Sequence, residues 1–205
     1  MSKRKYVEIS LALGLVFTII ISLLTFNKKC ENIRQNVLRL HIVANSDNAF
    51  DQKLKLKVRD AVLENLGEAL KNSKNIDEAV FKTKENLSVI SNTANAVIKE
   101  NGYNYNAVCT VKKENFGTRV YDDFTLPAGE YNSLKIKIGK ASGHNWWCVV
   151  FPTVCLPIEN EPNFSKTVGK EENEIVMQGG KYVIKFRIIE LYEEFKQAIK
   201  QKTFK

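Results

Sequence analysis

The spacing of apolar and polar positions changes several times along the chain, and each change marks an element. Ile9 to Phe26 is a run of 18 residues without a charge, 13 of them apolar. It has no amphipathic period and is apolar all round, unlike a helix on a soluble surface. Lys28 and Lys29 end it, and Glu31 to Gln35 reads as a short polar lead-in. Val37 to Ala44 alternates imperfectly, with Leu38, Leu40, Ile42 and Ala44 on one side and Val37, Arg39, His41 and Val43 on the other. This pattern predicts a strand. Asn45-Ser46-Asp47 ends it with residues that favour turns and helix N-caps. A helix follows, in which Leu54, Val58, Ala61, Val62 and Leu66 lie at helical spacing and Asp51 stands near the N-terminus, where the macrodipole favours an acid. Asn72 to Asn75 breaks it. A second helix is predicted over Ile76 to Lys99, striped by Val80, Leu87, Ile90, Ala94, Val97 and Ile98, capped by Asn75 or Ser73 and stopped by Gly102.

Beyond Gly102 the texture turns to short β segments. Tyr105 to Lys112 reads as a strand, Glu114 to Gly117 as a turn, and Thr118 to Phe124 as the hairpin partner. Leu126 to Tyr131 reads as a loop. Leu134, Ile136 and Ile138 alternate with Lys135 and Lys137, a half-exposed strand. Gly139 to Asn145 is a turn, and Trp146 to Phe151 is apolar enough for a buried strand. Ile158 to Gly180 holds Pro162, Gly169, Gly179 and Gly180 and reads as a mobile loop. The last element, Tyr182 to Lys200, opens β-like at Val183-Ile184 and becomes a helix with Ile188, Leu191, Tyr192, Phe195 and Ile199 on one face. The order predicts an α+β domain: a mostly antiparallel sheet with packed helices, preceded by an N-terminal hydrophobic helix.

The leader lies between two classes. Signal peptides carry apolar cores of about 7–15 residues, whereas spanning helices need about 17–25. Leu24-Thr25-Phe26-Asn27 is a poor cleavage site, because Phe26 is bulky where a small residue is wanted. Cys30 after Asn27-Lys28-Lys29 is not a lipoprotein site. The pattern favours an uncleaved N-in anchor over a cleaved signal, although basic residues on both flanks leave orientation weakly specified. Residues 1–29 are therefore a signal peptide or membrane anchor, with membrane contact through residues 9–26. Residues 30–205 form an extracytoplasmic α+β domain.

The chain carries a net charge of +8, with its lysines spread out instead of gathered in one patch. That distribution, behind a leader, argues against nucleic acid as partner; a solvated basic surface accounts for most of these lysines, and the excess also fits a body near anionic lipid or wall polymer. Four cysteines, Cys30, Cys109, Cys148 and Cys155, would find an oxidising compartment. Cys148 and Cys155 could bridge if the chain turns at Pro152, and two buried thiols are the alternative. With His41 and His144 the only histidines and no C-x-x-C pair, no metal or other cofactor is expected.

Two segments gather side chains with chemistry. His41, Asn45, Ser46 and Asp47 stand at the end of the first strand. Capping the next helix outweighs catalysis as the reason for the last three. Asn145, Trp146 and Trp147 open the last strand, and adjacent tryptophans there must face opposite sides. One can join the core; the other lies on the surface, where it would meet a partner, or under another element. A cysteine hydrolase would need Cys148 or Cys155 as nucleophile with His41 or His144 and Asp47. The residue types are present but no nucleophile elbow, P-loop, dinucleotide or zincin motif accompanies them. No small-molecule substrate is indicated.

Several segments together resemble the stage II sporulation protein R family of endospore-forming bacteria. They are Leu38-Arg39-Leu40-His41-Ile42-Val43-Ala44-Asn45-Ser46-Asp47 continuing into Asp51 to Val62, Leu126-Pro127-Ala128-Gly129-Glu130-Tyr131, Asn145-Trp146-Trp147-Cys148-Val149-Val150-Phe151-Pro152, and Phe186-Arg187-Ile188-Ile189-Glu190-Leu191. The N-terminal apolar segment fits as well. The likeness is weakest over Ile158 to Gly180. The resemblance implies a non-enzymatic signal made in the forespore and secreted into, or anchored facing, the intermembrane space of the sporulation septum. There it would activate a membrane-embedded aspartic protease of the mother cell, which then processes a pro-sigma factor. It transfers no catalytic residue. His41, Asn45, Ser46, Asp47, Asn145, Trp146 and Trp147 are the expected partner contacts. A secreted cysteine-type or cell-wall hydrolase and a septal scaffold are the rival readings.

Overall fold

The computed structural model describes residues 3–121, 124–152 and 167–203. The elements run α1 (Lys3–Gln35), β1 (Leu38–Val43), α2 (Ala49–Leu70), α3 (Ile76–Glu85), α4 (Leu87–Glu100), β2 (Ala107–Phe116), β3 (Arg119–Val120), β4 (Thr125–Leu126), β5 (Gly129–Ile138) and β6 (Asn145–Phe151). Two further helices close the chain, α5 (Lys170–Met177) and α6 (Val183–Thr203), joined by a 3-10 turn over Gly179–Tyr182. The architecture is the expected α+β one. The main sheet has the order β2-β5-β1-β6, with β1 and β5 parallel and the other two pairings antiparallel.

Alternation along β1 divides the core into two layers. Leu38, Leu40 and Ile42 face α2, α3 and α4, where they meet Leu54, Val58, Val62, Leu66, Ile90, Ala94 and Ile98. Val37 belongs to the opposite layer, built on Phe26, Cys30 and Ile33 of α1, Ile175 and Val176 of α5, and Phe186 and Ile189 of α6. Covering both faces explains why β1 is buried along nearly its whole length. Each side chain of this size contributes about 1.5–3 kcal/mol by leaving water.

Several expectations are corrected. Glu31 to Gln35 is not a polar lead-in: α1 continues unbroken through it, and Ile33 and Arg34 are buried. The helix expected over Ile76 to Lys99 is two helices that meet at Asn86, whose backbone (φ −86°, ψ 5°) leaves the helical range. Asn86 holds the break by donating from its side-chain amide to the Lys82 carbonyl at 2.9 Å. Its shorter partner does start at Asn75, which accepts from the Glu78 amide.

Glu114-Asn115-Phe116 is not a turn. β2 runs through it and pairs with β5 over all ten residues, from Ala107 opposite Ile138 to Phe116 opposite Gly129. Arg119–Val120 pairs instead with Thr125–Leu126 in a small separate ribbon. The Leu126 to Tyr131 loop shrinks to Pro127-Ala128, because strands occupy both ends of it. Local sequence could not see that β2 finds a longer partner downstream, and pairing length decided the outcome. Val183-Ile184 is helical, and the described part of Ile158 to Gly180 carries α5, so neither the β start nor a loop spanning to Gly180 holds.

Candidate functional site

The two segments singled out in the sequence come together at one end of the sheet. β1 and β6 are antiparallel neighbours, with His41 opposite Trp147, Ile42 opposite Trp146 and Val43 opposite Asn145. The loop 139–144 folds back over the end of β1. Gly143 N donates to Ala44 O at 3.0 Å, and Ser142 N and Oγ donate to Asn45 O at 3.2 and 2.7 Å. Lys140 N donates to Asn45 Oδ1 at 2.9 Å, and His144 N to Asp47 Oδ1 at 2.5 Å.

The cap of α2 is Asn48, not Asn45, Ser46 or Asp47: its Oδ1 accepts from the Asp51 amide at 2.7 Å. Asn45 and Ser46 serve a different centre. Asn45 Nδ2, Ser46 Oγ and Asn48 Nδ2 donate to Asp51 Oδ2 at 2.8, 2.5 and 3.2 Å, and the Tyr105 hydroxyl donates to the other oxygen. Burial pushes the Asp51 carboxyl up, but these four donors more than offset it and hold the group below the ordinary aspartate range. Asp47 pairs with the exposed His144 ring at the rim.

On the face of the sheet opposite α2, His41 is fixed at both ring nitrogens. Nε2 donates to Asn145 Oδ1 at 2.8 Å, and Nδ1 lies 3.2 Å from Glu114 Oε2. Ser133 Oγ and Lys135 Nζ also donate to Glu114, at 3.1 and 2.7 Å. Burial raises the Glu114 carboxyl, yet the Lys135 and His41 contacts bring it below its ordinary value. Trp147 stacks on His41, with centroids 5.9 Å apart and planes at 22°, and the Arg119 guanidinium carbon stands 3.7 Å over Trp147. The result is a stack of His41, Trp147 and Arg119, met edge-to-face at His41 by Phe116, whose plane lies at 66° to the imidazole. Trp146 points to the other face, as adjacent strand positions require, and lies under Arg59 at 4.4 Å.

Beneath the stack is a fully buried Arg39. Its guanidinium carbon sits 4.0 Å from the Phe116 centroid and 4.9 Å from the Tyr131 centroid, and Nη2 donates to the Tyr121 hydroxyl at 2.8 Å. Its Nε and Nη1 have no hydrogen-bond partner among the described residues.

Sequence reasoning found His41, Asn145 and both tryptophans but missed Glu114, Ser133, Lys135, Arg119 and Asp51. Glu114 was hidden by the false turn. With β2 extended, it and His41 become two positions on one sheet face, each one strand away from β5.

Cys148 is buried and disulfide-bonded, Cys30 and Cys109 are free thiols, and Cys155 lies outside the described residues. Burial pushes the Cys30 thiol up to about 12 and raises that of Cys109. Among the described residues, no three His, Cys, Asp or Glu side chains converge on a position for a metal ion.

The family model for stage II sporulation protein R matches residues 34–161. The stage II sporulation protein R of Bacillus subtilis (strain 168) is 36% identical over 133 residues, which cover 63% of this chain and 59% of that protein. No solved structure matches. The matched stretch holds all seven expected contact residues and stops before Phe186 to Leu191. The chain belongs to the stage II sporulation protein R family.

Proposed function

We propose that this protein is a sporulation signal that acts by contact: held by α1, its body faces the intermembrane space of the septum and activates a membrane-embedded aspartic protease of the mother cell, leading to pro-sigma processing. The observation that carries the reading is family membership over a stretch that contains every expected contact residue. The geometry is consistent with a binding surface. His41, Asn145 and Trp147 present a pre-formed, cross-braced patch, and a binder shifts a protease toward its active state only by preferring that state. Preorganised side chains lower the ordering cost of such an encounter.

The leader reads as a retained anchor. α1 is 33 residues long, its exposed part is apolar enough to cross a membrane, and its last turns belong to the body's second layer. A chain cut after Phe26 would lose that side chain from the layer.

The hydrolase reading has less support. Cys148 is buried and disulfide-bonded. The two histidines are engaged by Glu114, Asn145 and Asp47. Co-expression of this chain with the protease and its pro-sigma substrate in a non-sporulating host tests the proposal. Processing that depends on this chain is expected. Processing that proceeds equally without it would refute the signalling role, and a septal scaffold would remain.

A further inference from the structure

α6 carries an apolar side that the body leaves uncovered. Phe186 and Ile189 are buried, but Val183 is 62% exposed, Ile184 78% and Ile188 39%. The periodic stripe that the sequence marks as a packing face is therefore not the packing face. α6 turns Phe186 and Ile189 toward α1 and keeps part of its grease outside.

The contact with α1 sets the height of that exposed side. Lys185 Nζ donates to Ser22 Oγ at 3.2 Å, and Tyr182 stacks on Phe26 with centroids 5.6 Å apart. Ile188, Ile189 and Tyr192 share an apolar groove with Ile20, Leu23 and Leu24. The first two turns of α6 thus stand beside the last two turns of the apolar run of α1. Ser22 precedes Lys28 by six residues, about 9 Å along a helix. If Lys28 marks the membrane surface, Val183, Ile184 and Ile188 fall within the ~5–10 Å depth at which interfacial helices bury their apolar side. Val120, 78% exposed on the β3–β4 ribbon, lines a groove with Val183 and Phe186.

We propose that the N-terminal half of α6, through Val183, Ile184 and Ile188 and with Val120 beside it, rests in the headgroup–acyl boundary of the bilayer that α1 crosses. The body is then docked on the membrane in one orientation and does not swing on a tether. The proposal rests on reading α1 as a retained span. A lipid surface fits better than a protein groove for two reasons. The patch is continuous with the lipid-facing side of α1, where Ile21 and Leu24 are 62% and 64% exposed. Lys181, exposed where the helix begins, flanks it with a long stem that carries its charge back to the phosphates.

The test uses the full chain in phosphatidylglycerol–phosphatidylethanolamine vesicles, with lipids brominated near the headgroup end of the acyl chains. Tryptophan is introduced as Ile184→Trp, and separately as Val183→Trp. Leu13→Trp reports on the span, and the parent chain gives the Trp146 and Trp147 background. Loss of most of the added emission at 183 and 184 is expected. Unquenched emission at both, with Leu13→Trp quenched, overturns the docking while leaving the span. A blue-shifted but lipid-insensitive signal there means a protein covers the patch and also overturns it. If Leu13→Trp is unquenched too, the anchor reading falls together with the docking.

Discussion

Gly143 lies so close to Ser46 that a Cβ on the glycine would stand 2.2 Å from the Ser46 carbonyl oxygen. That approach is what lets the loop 139–144 fold over the end of β1 and donate to Ala44 and Asn45. Gly143→Ala is expected to lower stability by about 1–3 kcal/mol, the usual cost of overpacking against backbone. Gly67→Ala is the control. It lies inside α2 with nothing within 4 Å of its added Cβ, so a gain of about 0.5–1 kcal/mol is expected there. Chemical denaturation of both variants checks the pair.

Trp147→Ala is expected to abolish most pro-sigma processing in the co-expression assay while the variant still folds and is exported. The lost stack on His41 and Arg119 costs about 0.5–1.5 kcal/mol of stability. Trp146→Ala, which removes the ring under Arg59 on the opposite face, separates the two sides. Full processing by both folded variants would place the contact surface elsewhere.

Acid should weaken the contacts gathered on Asp51 and on Glu114. The Asp51 and Glu114 carboxyls are both held below their ordinary values in the fold. A depressed carboxyl stabilises the folded state at pH above its unfolded value, about 4. That contribution drains away as pH falls through the lower folded value. Asp51→Asn should therefore be less stable than the parent at neutral pH and should show a flatter decline below about pH 4. Thermal midpoints measured across that range read out both effects.

Ile33→Ala is expected to cost about 2–5 kcal/mol, since Ile33 is fully buried among α5, α6 and the sheet. The sensitive readout is limited proteolysis, with cleavage in α5 and α6 rising before cleavage in α2 or α4. By the same packing, intact mass of the membrane-extracted protein should show a chain that still contains Phe26.

Peptide mapping without reductant should recover Cys148 linked to Cys155. Cys30 and Cys109 should react with iodoacetamide mainly after unfolding, because burial raises both thiols.

The sequence showed what depends on short-range pattern. β1 announced itself by alternation, α2 by its 3.6 period, and the paired tryptophans by the two-residue period of a strand. What it hid was pairing between distant segments. Nothing local tells β2 to ignore Thr118–Phe124 and zip to β5, yet that choice carries Glu114 to His41. Nor does periodicity tell which side of an amphipathic helix meets protein and which meets something else. The stripe of Ile188, Leu191, Tyr192 and Phe195 looked like core, and the structure leaves it outside. Asn45 and Ser46 were read as helix caps because cap chemistry is local. Their real acceptor is a side chain and not the helix's free amides: Asp51, in the first turn of α2, five and six residues on.

The second layer is stitched from the two extremities of the polypeptide: Phe26, Cys30 and Ile33 near the start, Ile175, Val176, Phe186 and Ile189 near the finish. In a chain exported N-terminus first, as the proposed function requires, α5 and α6 emerge after the sheet and the helices on its other face. Until then the layer on Phe26, Cys30 and Ile33 lacks Ile175, Val176, Phe186 and Ile189. Under that reading the arrival of α6 closes the second layer, and a stalled or shortened chain would surface with a sheet clothed on a single side.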